Sequence, residues 1–449
     1  MNKLIKEFNK KDSLIVISSY PGKDGEGAKQ NAVACYCKNL LSAYKNRKII
    51  VLAERDGERE MYREGNILVV RCWKPASPLL YFDLINTINN FDKAKSVLMQ
   101  FEFNMLGSTI LTALLPAFFA YLSLVGKKIT IMQHQVVDDL ASLGGHLNIN
   151  KGSLKNLVLN IGLRLFYIGI GLFSKSVIVH EEALKSKLAK WVDVKKIFVV
   201  SHGLSLAKNA GLRQQYRRKL GFNDKDFVLL MFGYIAWYKG VDWLIKKVAA
   251  ISKKYPNANI KLLIAGGPSA TLKSKAHYRR YLSKVDKLVN KNGKCVKAVG
   301  YVPESELQGN FEASDLVVLP YRAMMSASGP LSFALKYNRP YLLSSTLSET
   351  LENTDVGSVL GELSMTSEDV VFSLKGEDFD EKILLLREKK TLSNLNRVSE
   401  GLRKLRSWDN IVIVYENIIE RPSLREKSVE GGAVENAYSY NLLETRKNT

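Results

Sequence analysis

The sequence predicts an α/β protein made of two doubly wound domains facing a cleft. Three observations carry that expectation. Short apolar runs alternate with stretches of 3.6-residue periodicity in the N-terminal part, and the same alternation restarts after residue 205. Between the two lies SLAKNAGLRQQYRRKLGFNDKD, polar and basic, as a linker and a leading helix would be. A chain of 449 residues is long enough to bury two such cores. Strands that alternate with helices imply parallel sheets covered on both faces.

In the N-terminal domain, residues 1–205, strands are expected over Leu14 to Ser18, Ile49 to Ala53, Ile67 to Arg71, Val97 to Phe101, Ile129 to Met132, Val177 to Val179 and Ile197 to Val200. The first helix presents Val33, Tyr36, Cys37, Leu40, Leu41 and Tyr44 on one stripe. In the second domain, residues 206–404, strands are expected over Phe227 to Phe232, Ile260 to Ala265, Val296 to Val299, Leu316 to Leu319 and Tyr341 to Ser344. After Arg421 the chain turns polar and loses periodicity, so 421–449 reads as a disordered tail.

Two long apolar stretches have to be placed. Met105 to Val125 is long enough to span a bilayer, but its Ser108, Thr109, Thr112, Pro116 and Ser123 and its place between two strands favour a helix covering the sheet. Leu157 to Phe173 carries Arg164 and follows Lys151 and Lys155. It suits a core helix and a helix lying in a membrane interface equally well.

Net charge is +22, split evenly between the halves, so neither half is a basic arm. A spread excess suits a surface that meets anions such as lipid head groups or phosphorylated substrates, and general solubility accounts for it as well. Nucleic acid is not the expected partner, because no aromatics cluster within a basic stripe. Cys35, Cys37, Cys72 and Cys295 have no zinc spacing and read as free thiols of a reducing cytoplasm. The opening MNKLIKEFNKKDS has no apolar core of a signal peptide.

Four segments carry candidate chemistry. LLMFGYIAWYKG (Leu229 to Gly240) reads as a buried strand, a glycine turn at Gly233, and a lone cation, Lys239, followed by Gly240 where a helix begins. A helix N-terminus offers unpaired N–H groups and partial positive charge, and the lysine adds a point charge, which together suit a diphosphate. VVLPYRAMMSASGPLSFALKYNRPYL (Val317 to Leu342) supplies Arg322 and then a small-residue turn, Ser326 to Gly329, with Pro330 at the first helical position and Leu331 after it. YPGKDGEG (Tyr20 to Gly27) follows the first strand. It is neither a dinucleotide fingerprint nor a P-loop, because Gly22, Gly25 and Gly27 are misspaced and no acidic residue ends the second strand at the usual place. IMQHQVVDD (Ile131 to Asp139) places His134 just past a strand end, where a neutral imidazole can bond a hydroxyl and Asp138 or Asp139 can orient it. The alternative is a structural histidine. Asp224 to Asp226, DKD, lies at the wrong end of its strand for a metal motif and reads as a solvated turn.

These strings, in this order and spacing from about Leu14 to Ile419, resemble a family 4 glycosyltransferase of the two-Rossmann-domain GT-B fold. Gly25-Glu26-Gly27 resembles the family's glycine turn and His134 its strand-end histidine. VVSHGL (Val199 to Leu204) resembles the strand and His-Gly before the interdomain linker. FGYIAWYKG resembles the donor loop G-R-x-x-x-x-K-G, NIKLLIAGG (Asn259 to Gly267) the next strand and turn, and VGYVPESEL (Val299 to Leu307), with Tyr301 and Val302, the stretch that brackets the nucleotide base. SWDNIVIVYENII (Ser407 to Ile419) resembles the last helix, so 405–420 is expected to cross back to the N-terminal domain.

The chain departs from the family pattern in two places. The phosphate-binding arginine falls on Tyr234, for which Arg322 is the candidate replacement. The paired glutamates fall on Met325 and Phe333, leaving Ser326 and Ser328 in a Ser-x-Ser-Gly version.

The resemblance implies sugar transfer from a UDP- or GDP-sugar to a glycan or lipid-linked acceptor, with retention of configuration, and with neither cofactor nor metal. Lys239 and the N–H groups near Ser328-Gly329 would stabilise the leaving diphosphate, and His134 would stand by the sugar. Polysaccharide biosynthesis in the cytoplasm, at the inner, anionic face of the plasma membrane, is the setting this suggests. The competing functions are a non-catalytic scaffold in a membrane glycan-assembly complex and a nucleotide-sugar epimerase or phosphorylase on the same fold.

Overall fold

Runs such as LIVI and SVLMQF bury every side chain, which is possible only inside a sheet covered on both faces. The computed structural model describes residues 2–23, 32–137, 154–269, 272, 275–323 and 328–422. The elements up to the first crossover are α1 (Asn2–Phe8), β1 (Leu14–Ile17), α2 (Ala32–Ser42), β2 (Ile49–Glu54), β3 (Glu60–Glu64), β4 (Ile67–Trp73), α3 (Leu80–Asn89), β5 (Ser96–Phe101), α4 (Thr109–Leu124), β6 (Lys128–Gln133), α5 (Leu154–Phe173), β7 (Ser176–Val179), α6 (Glu182–Leu188) and β8 (Ile197–Val199). Then come α7 (Arg213–Leu220), β9 (Phe227–Phe232), α8 (Val241–Lys254), β10 (Ile260–Ala265), α9 (Ala276–Lys291), β11 (Val296–Gly300), α10 (Glu304–Ala313), β12 (Leu316–Leu319), α11 (Gly329–Lys336) and β13 (Tyr341–Ser344). The chain finishes with α12 (Thr354–Glu362), α13 (Ser367–Val370), β14 (Val371–Phe372), α14 (Asp378–Leu386), α15 (Lys389–Leu405) and α16 (Trp408–Glu420).

Two compact units result, one of Met1–Gly203 with Trp408–Thr449, the other of Leu204–Ser407. The first holds an eight-stranded sheet in the order β3-β4-β2-β1-β5-β6-β7-β8. All neighbours are parallel except β3, which forms an antiparallel edge with β4. One face packs under α3, α4 and α5, the other under α2 and α16. Gly203 and Trp408 meet at the crossover: a Cβ on Gly203 would come within 2.3 Å of the Trp408 ring, so only glycine lets the indole lie there. Beyond it, Leu204 pairs with Ser407 and donates its N–H to the Arg406 carbonyl at 2.7 Å.

The second unit holds a wholly parallel six-stranded sheet, β11-β10-β9-β12-β13-β14. Strand order reverses between β9 and β12, and in such sheets ligands bind outside the carboxyl ends of the strands at that reversal. The basic segment leading into this unit has a structural use. Arg217 is 2% exposed and gives its guanidinium to Asp315 Oδ2 at 2.7 Å and to the Ala313 and Asp226 carbonyls, while Arg213 takes the other Asp315 oxygen at 2.5 Å.

Several expectations need correction. Glu54 does end the second strand; its carboxylate accepts the Tyr20 N–H at 3.1 Å, and burial pushes its pKa up. Asp226 is buried, not solvated, and accepts the Asn223 N–H at 2.7 Å. Met105 and Leu106 are buried in a turn, and the sheet-covering helix begins only at Thr109. Edge strand β3, EMYRE, has no apolar run to reveal it, and β14 is only two residues long. All but the first two residues of the tail read as disordered lie outside the described residues.

Removing Asp315 strands a guanidinium in the interior. Asp315→Ala is expected to destabilise the second unit by about 3 kcal/mol or more, seen in urea denaturation as a lower midpoint for its transition, whereas Lys219→Ala at the exposed Lys219–Glu306 pair is expected to leave it unmoved.

Candidate functional site

In the second unit, the carboxyl ends of β9, β10 and β12 bring the predicted donor residues together. Gly233 follows β9 with φ +107°, and a Cβ there would meet Lys239 Nζ at 2.8 Å and Pro330 Cγ at 3.2 Å. Gly266, after β10, lies on the Gly233 carbonyl so closely that a Cβ would sit 2.0 Å from it. Gly240, at φ +70°, has the Pro320 carbonyl where its Cβ would be, at 1.9 Å. Three side-chain-free positions thus let the Lys239 turn settle over the sheet end, against the start of α11.

Lys239 is 7% exposed. Among the described residues its ammonium has neither an ion-pair partner nor a hydrogen-bond acceptor; the Tyr321 ring lies 5.9 Å away. Burial pushes its pKa down to about 8. A buried cation without a counter-charge is a standing electrostatic cost that an anion would remove.

The neighbouring carboxylate serves other groups. Asp242, in the first turn of α8, is 4% exposed and accepts Arg322 Nη1 at 2.8 Å, Lys284 Nζ at 2.8 Å and Tyr281 Oη at 2.9 Å. Burial alone would raise its pKa, but these three donors hold it at about 2. Arg322, expected to replace the absent phosphate-binding arginine, is instead committed here. It also donates to the Trp237 carbonyl at 2.7 Å, and its backbone N–H reaches the Tyr238 carbonyl at 2.6 Å. Its work is to clamp the Trp237–Lys239 turn to the sheet.

At the start of α11 the Ser328 hydroxyl oxygen caps the Leu331 N–H at 3.3 Å, and Pro330 has no N–H. What the first turn offers an anion is therefore the Gly329 N–H and the helix dipole. Tyr234 and Tyr301 are exposed, Tyr301 beside Gly267, while Val302 packs against the core. Phe333, where a carboxylate was missing, meets Phe232 edge-on and stacks with Phe311 and Tyr337. Gly25, Glu26, Gly27, Asp138, Asp139, Met325 and Ser326 lie outside the described residues.

His134 belongs to the first unit, in an aromatic cluster around Tyr36. The His134, His180, His202 and Trp408 rings pack on Tyr36 with centroids 4.9–5.2 Å away, and the Tyr36 hydroxyl meets that of Tyr415 at 3.0 Å. Both His134 nitrogens are engaged, Nδ1 with His180 Nε2 at 3.3 Å and Nε2 with the Gln100 side-chain amide at 2.9 Å. His180 Nδ1 faces the Val200 carbonyl at 3.0 Å, so Nδ1 carries the proton and Nε2 accepts from His134 Nδ1–H. His134 Nε2 then needs a donor. The Gln100 amide supplies one when its oxygen and nitrogen are exchanged, which also gives a partner to a Gln100 Nε2 otherwise buried without one. Burial and His202 push the His134 pKa down to about 3, so the ring is neutral at physiological pH.

Sequence reasoning missed His180, although SVIVH has the same strand-then-histidine signal as IMQH. It also missed Asp242, whose partners Tyr281, Lys284 and Arg322 lie far along the chain.

Residues 226–367, under a third of the chain, match the model of the family Glycosyl transferases group 1. The D-inositol 3-phosphate glycosyltransferases of Corynebacterium glutamicum (strain R) and Corynebacterium efficiens are each 30% identical over 132 residues, 28% of this chain and 30% of the relative's length. The match thus spans under a third of those relatives. Among solved structures, sucrose-phosphate synthase from Thermosynechococcus elongatus superposes with a TM-score of 0.54 at 14% identity, covering 94% of this chain and 100% of that one. Anabaena HepE in complex with UDP gives 0.57 at 13% identity, covering 91% and 98%. The fold is that of the GT-B glycosyltransferases.

A depressed lysine pKa has a definite sign in stability. The unfolded chain holds the Lys239 proton to about pH 10.4, while the fold releases it near 8, so the charge costs stability below pH 8 and the cost fades as pH rises from there. Lys239→Met is expected to stabilise the ligand-free protein by ~1–3 kcal/mol at pH 7, with the gain shrinking toward pH 10 in urea titrations.

Proposed function

We propose that the protein is a glycosyltransferase that moves a sugar from a UDP- or GDP-sugar to a glycan or lipid-linked acceptor, with retention of anomeric configuration. The observation that carries the reading is the buried Lys239 ammonium, unpaired among the described residues and set against Gly233 and the start of α11 at the strand-order reversal. The family match over residues 226–367 supports it, as do the similar structures of HepE in complex with UDP and with UDP-glucose.

In this reading the diphosphate lies across Gly233 and Gly329. As the bond from the anomeric carbon to the diphosphate oxygen breaks, negative charge collects on that oxygen, and Lys239 Nζ with the Gly329 N–H is where it is stabilised. The acceptor hydroxyl oxygen forms the new bond to the anomeric carbon, and its proton leaves on the diphosphate. No carboxylate among the described residues lies within ion-pair reach of Lys239 to act as a covalent nucleophile, and Asp242 is held by three donors. The reaction as proposed uses neither cofactor nor metal. His134 receives a positioning role: a ring with a pKa of about 3 is a poor base and no acid at neutral pH.

A thermal-shift screen across UDP-, GDP- and ADP-sugars is the direct test, since a ligand that binds only the native state raises apparent stability. One donor class is expected to raise Tm in wild type and not in Lys239→Ala. Donor affinity is expected to hold below pH 8 and to fall by up to about tenfold per pH unit above it, as the lysine loses its proton. NMR of the product is expected to show the donor's anomeric configuration. If no donor binds and Lys239→Ala behaves as wild type, the chain is a non-catalytic scaffold. Donor turnover without any acceptor would point to an epimerase or phosphorylase.

A further inference from the structure

The outer layer of the first unit contains two helices whose solvent-facing sides are apolar. The inner side of α4 is in the core through Leu111, Leu115, Phe119 and Leu122. Its outer side shows Ile110, Leu114 and Leu124 at 73%, 47% and 86% exposure, and no residue of Thr109–Leu124 is charged. On α5, Phe166, Tyr167 and Ile170 face the sheet, whereas Leu154, Val158, Leu165 and Leu172 are each more than half exposed along one stripe. A surface helix of a soluble protein turns polar residues outward; here only Arg164 is a described charge on α5.

The two faces form one patch. Gly169 on α5 lies against Pro116 on α4 so closely that a Cβ would come within 2.6 Å of the proline ring. Side by side the helices run about four and more than five turns. In a parallel sheet their C-terminal ends reach the amino ends of the following strands, and there the chain exposes Lys93 and Lys95 before β5, Lys128 at the start of β6, and Lys195 before β8. The carboxylates nearby in sequence are engaged locally, Asp92 with Asn9 and Asp193 with the Lys195 N–H.

We propose that this face docks on an anionic lipid surface, with α4 and α5 lying in the plane of the interface. A membrane-crossing role for α5 conflicts with its inner side, which forms part of the sheet's core. A second copy of the chain would bring one lysine rim against another, whereas anionic head groups complement that rim and the acyl boundary takes the leucines. The inference goes beyond the sugar-transfer reading and stands without it, because it uses only residues of the first unit.

Flotation of the full chain with vesicles tests it. Wild type is expected to float with phosphatidylglycerol/phosphatidylcholine vesicles, to float less in 0.5 M salt and least with pure phosphatidylcholine. The exposed double variant Leu165→Glu/Leu172→Glu is expected to keep wild-type Tm and circular dichroism but to bind about tenfold or more weakly. Lys93→Glu/Lys95→Glu is expected to lose the preference for anionic vesicles. A wild type that stays in solution, or a double variant that floats as wild type does, overturns the proposal. So does light scattering that shows a dimer disrupted by the double variant, which would give the face to a second copy. Donor binding serves as an independent readout and is expected to be unchanged in both variants.

Discussion

A buried ammonium group with no counter-charge among the described residues is the constraint around which the second unit is organised. Asp242, three residues on, does not pair with Lys239 and is held instead by Arg322, Lys284 and Tyr281. That same cluster fastens the Trp237–Lys239 turn, since Arg322 also bonds the Trp237 carbonyl. The glycines complete the arrangement: Gly233, Gly240 and Gly266 sit where any side chain would push the turn off the sheet. Charge, clamp and close backbone approach meet at one sheet end, where the buried ammonium carries an electrostatic cost.

The first unit solves an opposite problem. Its polar aromatic cluster is filled internally: His134, His180 and Gln100 satisfy one another in a chain of hydrogen bonds that ends at the Val200 carbonyl. Such a network fixes ring orientations, while burial and the nearby His202 hold His134 neutral. The contrast separates the units: the second buries an ammonium with no counter-charge among the described residues, the first a set of dipoles that satisfy one another at the strand ends.

The fold was legible because its signals are local. Buried parallel strands are unbroken apolar runs, and the expected strands fall where the sheets have them; EMYRE was invisible because an exposed edge strand needs no such run. Within the candidate site, Lys239 and Ser328–Pro330 were legible as a cation and a helix start beside glycine turns. The ion pair of Arg322 was not legible because its partner Asp242 lies 80 residues away, and only folding reveals which charges meet. Likewise α4 read as a core helix from its composition, and its inner half is that; the apolar outer half depends on which side faces the sheet.

The return of α16 to the first unit fixes an order of events in synthesis. Ile411, Val412, Tyr415 and Ile418 supply part of the core over Leu14, Val16 and Tyr36, yet they emerge from the ribosome after the whole of Leu204–Ser407. The first unit to be made is therefore the last to be finished. Until its closing helix arrives, one face of its sheet waits uncovered while the later unit has every element it needs, so the nascent N-terminal half is the part that depends on protection from aggregation.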